Sequence, residues 1–102
     1  MNEKEREKSA YLEKLEARLE EWDAKIQQLR VKIKAVKADL KAEYEERIKN
    51  LEKKQEEGKQ KLKELRGKSA ELWEEVKKGA DRVFEEMGRA YEDIRKKFKE
   101  LF

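Results

Sequence analysis

"IKAVKADLKAEYEERIKNL", residues 33–51, decides how this chain folds, because the spacing of its apolar residues changes partway through. Upstream, Leu12, Leu15, Leu19, Trp22, Ile26, Leu29, Ile33, Val36 and Leu40 alternate steps of three and four, which is a heptad seam. Tyr44, Ile48 and Leu51 follow, and steps of four replace the expected three. A strict heptad drifts by ~20° per repeat on an ideal helix, and a run of four-residue steps rotates the stripe forward again. The stretch therefore reads as a phase correction inside one continuous helix, not as a turn. On this reading residues 1–66 form one long heptad-patterned helix.

The last third changes period. Residues 69–102 carry an eleven-residue repeat: Leu72, Val83 and Ile94 share one position, Val76, Met87 and Phe98 another, and Ala80, Tyr91 and Phe102 a third. Eleven residues make almost three whole turns, so equivalent residues stay on one face with little supercoil. Leu72 and Val83 line one flank of the stripe, and Trp73, Phe84, Tyr91 and Phe102 the other. This segment reads as a second, amphipathic helix.

Composition agrees with helices throughout. Of 102 residues 52% are charged and 36% hydrophobic, with no Pro, Cys or His, and abundant Lys, Glu, Leu and Arg at helical spacing mark coiled coils and long helices. The net charge of +3 is small beside 28 basic and 25 acidic residues, which argues against a dedicated nucleic-acid binder. No apolar run suggests a signal peptide or a membrane span. A cytoplasmic location is the default expectation.

Two places offer a chain reversal. At Gly58 the stripe is weakest, with Gln55 and Gly58 in core positions. At Gly67 a glycine follows Arg66, and Ser69 offers an N-cap hydroxyl. Folding about residue 58 sets basic residues 25–41 against the acidic part of the last third, whereas folding about Gly67 sets them against the basic C-terminal end. Charge favours 58; local capping favours 67. The expected fold class is all-α, an antiparallel helical hairpin or coiled coil in one structural unit, with a single unbroken helix as the alternative.

Two helices share only a thin core, so a homodimer in a four-helix arrangement is expected. The candidate self-association residues are Leu12, Leu15, Leu19, Trp22, Ile26, Leu29, Ile33, Val36 and Leu40, with Leu72, Trp73, Val76, Val83, Phe84, Met87, Tyr91, Ile94 and Phe98.

Catalytic chemistry lacks its parts. Gly67-Lys68-Ser69 ends like a phosphate loop, but residue 62, where the earlier glycine belongs, is Leu62, and no strand precedes it. Without His or Cys, and with only Ser9 and Ser69 as aliphatic hydroxyls, no nucleophilic triad can be assembled. Helical-bundle metal sites pair Glu with Glu-x-x-His, which excludes that class. No catalytic residue, cofactor, metal or small-molecule substrate is expected. Arg30, Lys34, Lys37 and Lys41 share a helical face in a stretch, 24–38, that contains no acid. They either meet the acidic 69–93 stretch or form a candidate stripe for an anionic partner, nucleic acid or lipid headgroups. An unidentified protein partner and a membrane surface are the further partner expectations, with no specific nucleic acid.

Two stretches, "YLEKLEARLEEWDAKI" (11–26) and "LWEEVKKGADRVFEEMGRAYEDI" (72–94), resemble a family of small bacterial coiled-coil proteins, some labelled stress-response proteins. Leu15, Leu19, Glu21, Trp22, Trp73, Glu74, Lys77 and Gly79 carry the likeness; Val76 and Gly88 depart from it. The resemblance implies helices and no known enzymatic activity. The expected function is a non-enzymatic structural or protein-interaction module that self-associates through its apolar stripes. The alternative is a reversible binder of anionic lipid surfaces through the C-terminal amphipathic helix.

Overall fold

A computed structural model describes residues 2–101 and folds them into three helices, α1 (Glu3–Ile33), α2 (Ala38–Gly67) and α3 (Trp73–Leu101). Phe102, assigned above to the apolar repeat, lies outside the described residues. The helices run up, down and up. Lys8 meets the α2 C-terminus, and Glu43 of α2 meets Lys97 of α3, which makes each sequential pair antiparallel. Tyr11 packs on Trp73 and Trp22 on Tyr91, so α1 and α3 run parallel. The bundle measures 55 × 17 × 17 Å; an unbroken helix of this chain would be ~150 Å long.

The all-α fold is as expected, but residues 1–66 are not one helix. The chain reverses at Lys34–Lys37, within the quoted stretch, and the four-residue steps from Leu40 onward belong to a new helix. The amides of Ala35 and Val36 donate to the carbonyls of Lys32 and Ile33 at 3.0 and 3.1 Å, tightening the last turn of α1. Val36 is buried and plugs the end of the core. Lys37 then turns extended, at φ −60° and ψ 145°, and its carbonyl accepts from the amides of Leu40 and Lys41 to start α2. No described residue has positive φ. A reversal built only from right-handed and extended residues requires neither glycine nor proline, and leaves no mark in the composition.

Gly58 is not a reversal. It lies buried inside α2, and a Cβ there would meet Leu19 Cδ2 and the Phe84 ring at 3.5 Å. Those are ordinary van der Waals distances, so the position packs against α1 and α3 as part of the stripe. The second break does fall after Gly67, but not by the expected device: Gly67 is the last helical residue, without positive φ. The carbonyl of Ser69, not its hydroxyl, engages the next segment by accepting from the amides of Leu72 and Trp73, each at 3.1 Å. The Lys8 ammonium donates to the carbonyls of Arg66 and Lys68, covering the α2 C-terminus with a positive charge. At the other end of α1, the Asn2 side chain accepts from the Glu5 amide at 2.8 Å.

The eleven-residue repeat departs at one position, just before α3 begins, while its other described members are buried or half-buried. Leu72, equivalent to buried Val83 and Ile94 in that scheme, is 47% exposed. A seven-residue column also fits: Trp73, Ala80, Met87 and Ile94 are all buried, and Phe84 and Phe98 are buried in a second column that also holds half-buried Tyr91. Supercoiled packing against two neighbours favours the heptad period, and the aromatic column supplies the extra width. Tyr44 stacks on Phe98 at 4.9 Å between ring centroids, and Trp22 meets Tyr91 edge-on at 5.4 Å.

Truncating Leu29, 2% exposed, to alanine should lower unfolding free energy by about 2–5 kcal/mol. Gly88→Ala, where a Cβ meets nothing within 4 Å, should raise it by about 0.5–1 kcal/mol through helix propensity. Urea denaturation of the two variants checks both signs.

Candidate functional site: the basic pole

Two elements of the sequence reading bear on a site, the apolar stripe and the basic stripe. Thirteen of the eighteen candidate self-association residues are buried within this one chain, and Leu12, Leu40, Val76 and Tyr91 are half-buried against the same core. Leu72 alone stands exposed. The argument for a dimer assumed two helices; three helices cover the stripe internally. The core's polar exception, Gln55, donates through Nε2 to the Asp23 carboxylate.

The basic residues do not form a stripe on one helix. Arg30, near the end of α1, is ion-paired with Glu52 of α2. Lys34 and Lys37 stand exposed in the reversal, and Lys41 is half-buried one turn into α2. The fold nevertheless brings all four to one end of the bundle. There they are joined by Lys32 of α1 and by Arg95, Lys96, Lys97 and Lys99 of α3. Residues 28–42 and 94–101 together hold nine bases and two acids, Asp39 and Glu100. The opposite end, residues 2–16 and 59–75, holds nine of each. The α3 contribution was missed because charge pairing argued against this arrangement: basic residues 25–41 do lie beside the basic C-terminal end.

Some of these charges are tied down. Arg95 reaches Glu92 at 3.3 Å and Lys97 reaches Glu43 at 3.3 Å. Hydrogen bonds from Lys97 first, and from Arg47 second, hold the Glu43 carboxyl below its usual range. Farther along the same seam, Lys54 binds Glu86 at 2.5 Å, which lowers the Glu86 carboxyl and raises the Lys54 ammonium. Six lysines at the pole, Lys32, Lys34, Lys37, Lys41, Lys96 and Lys99, have no ion-pair partner among the described residues.

Helix ends account for part of this. Arg30 and Lys32 in the last turn of α1, and Lys99 in that of α3, complement the negative ends of those helices. Lys37 and Lys41 do the reverse, since they flank the positive N-terminus of α2, where Lys37 provides no side-chain cap. An open depression of about 460 Å³, lined by Lys32, Ala35, Arg95, Phe98 and Lys99, lies between α1 and α3 at this end.

At the other end Tyr11 packs on Trp73 at 5.6 Å between centroids, with the Lys77 ammonium over both rings. The Tyr11 hydroxyl donates to the Asp81 carboxylate. Burial first, and that hydrogen bond second, push the phenol well above its ordinary range. Among the described residues no helix is long and apolar enough to cross a membrane. Comparison of the chain with protein-family models, with curated proteins and with solved structures finds no match.

The Tyr11 phenol has a folded-state pKa above its unfolded one, so its contribution to stability is complete below about pH 10 and is lost as pH rises beyond that. Urea midpoints between about pH 9 and 11 should therefore fall more steeply for the natural chain than for Tyr11→Phe. Parallel slopes would remove Tyr11 as the source.

Proposed function

We propose that this chain is a non-enzymatic helical interaction module that engages an anionic partner through its basic pole. One observation carries the reading: nine bases gather at one end of the bundle against Asp39 and Glu100 in the same segments and Glu43 and Glu92 beside them, while the other end is balanced. Like charges brought together oppose folding, so an arrangement that collects six lysines without carboxylate partners is one that stability alone does not favour. An anionic surface repays that repulsion. The absence of His and Cys from the chain supports the non-enzymatic part of the reading.

Self-association through the apolar stripes, and lipid binding through the α3 face, both draw on side chains that already form the core. Each carries the cost of opening the bundle, and the pole carries none. Light scattering at micromolar concentration should accordingly give a mass near 12.3 kDa; twice that mass would return the dimer to first place. Immobilised heparin should retain the chain and release it with salt. The triple variant Lys32→Gln, Lys34→Gln, Lys37→Gln should elute at clearly lower salt than the control Lys59→Gln, Lys61→Gln, Lys63→Gln, because each lost phosphate or sulfate contact reduces the salt dependence. Equal elution of the two variants would remove the pole from the function.

A further inference from the structure

Resting on that reading of the pole, we propose that its partner is the headgroup layer of a bilayer rich in anionic phospholipid, which the bundle meets end-on. Three features of the pole select a lipid surface over other polyanions.

The first is the kind of cation. All six unpaired charges are lysines, whereas both arginines of the pole are engaged by carboxylates, Arg30 by Glu52 and Arg95 by Glu92. Nucleic-acid recognition draws on the guanidinium fork for bases and phosphates. A layer of mobile headgroups needs only point charges near the surface, and clusters of four to eight bases suffice to hold a protein there.

The second is exposed apolar surface in the same place. The described residues include three exposed large hydrophobic ones, Val31, Leu72 and Leu101, and two of them belong to the basic end. Val31 is 65% exposed between Arg30 and Lys32. Leu101 closes α3 beside Lys99. A bilayer interface accepts a basic patch together with aliphatic side chains, and the two signals add. Nucleic-acid backbones offer an aliphatic side chain no comparable environment. The aromatic rings on which bases stack are turned inward, with Tyr44, Phe98 and Trp22 buried and Tyr91 packed against Trp22.

The third is the shape of the field. Outside the pole the chain holds nineteen bases and twenty-three acids, so the rest of the molecule is net acidic. A rod of 55 × 17 × 17 Å with one basic end is drawn to an anionic plane by that end and repelled along its flank.

The chain contains no cysteine, so single-cysteine variants report position directly. An environment-sensitive fluorophore at Ala35→Cys, in the reversal, should shift to the blue on vesicles of phosphatidylcholine with about 30 mol% phosphatidylserine. The same label at Ser9→Cys, at the far end of α1, should not move. Emission from Trp22 and Trp73 should stay constant, since the core remains closed. Vesicle sedimentation should show binding weakened by about tenfold or more in the triple pole variant, and by severalfold in Val31→Ser, whose heparin elution stays unchanged.

Other outcomes overturn the proposal in distinguishable ways. Retention on heparin or duplex DNA without vesicle binding sinks the lipid assignment and leaves the anion-binding pole. Binding to none of the three sinks both. Vesicle binding with a shift at both labels and altered tryptophan emission means that the bundle opens and lays its apolar face on lipid, which contradicts end-on docking.

Discussion

The structure depends on α2 having one apolar stripe that two neighbours must cover. Tyr44, Ile48, Leu51, Leu62 and Leu65 are buried because α1 approaches from one side and α3 from the other. Neither neighbour alone covers that stripe, and neither neighbour's own stripe is covered without α2. Two helices of this length would share a seam with wet edges; a third closes the prism. The aromatic pairs between α1 and α3, Tyr11 with Trp73 and Trp22 with Tyr91, seal the remaining side. Lys25 lies over the second pair, 4.8 Å from the Trp22 ring and 5.2 Å from that of Tyr91, so an ammonium caps a seam that would otherwise present its ring faces to water.

The same constraint explains why charge did not choose the topology. Exposed ion pairs contribute about 0.3–1 kcal/mol each, while burying a Leu, Ile, Phe or Met side chain contributes about 1.5–3 kcal/mol. Reversing the chain at 34–37 and again after Gly67 brings nineteen apolar side chains into one core. Optimal pairing of charged segments across a single hairpin cannot compete with that. Local ion pairs then form where the core has placed the helices, as with Lys54 and Glu86 or Lys97 and Glu43. Charges left over after that accommodation, above all the lysines of the reversal, are those on which the proposed anionic contact rests.

Much of the fold was legible in the sequence. The seam from Leu12 to Ile33 and the aromatic stripe of α3 gave the helical class and thirteen of the nineteen core residues, because alternating steps of three and four have one physical meaning. The reversal was not legible, for an equally physical reason. Val36 and Leu40 keep the expected steps straight through the bend, since Val36 caps the core from the reversal and Leu40 opens the stripe of the next helix. A turn without glycine, proline or positive φ leaves only phase to betray it, and here the phase changed only after Leu40, beyond the bend, where it reads equally as a correction within one helix. Gly58 misled in the opposite direction. The weak stripe and the charge pattern suggested a break there, yet the residue lies inside α2 in contact with Leu19 and Phe84 of the two neighbouring helices, a tertiary relation that spacing along one chain does not display.

The basic pole lies between these cases. Each of its segments was visible, residues 24–38 by their lack of acid and 95–99 by their lysines. Their meeting was not, because it required knowing that the chain turns twice rather than once. An odd number of helices sends α3 back to the end where α1 finishes, so the two basic C-terminal turns become neighbours by parity alone. With one reversal near residue 58 those segments would have lain apart, each beside acidic neighbours. Adding a helix therefore converts two locally reasonable helix-end charges, each matched to its own dipole, into a single collective surface. The third helix that completes the core also creates the pole.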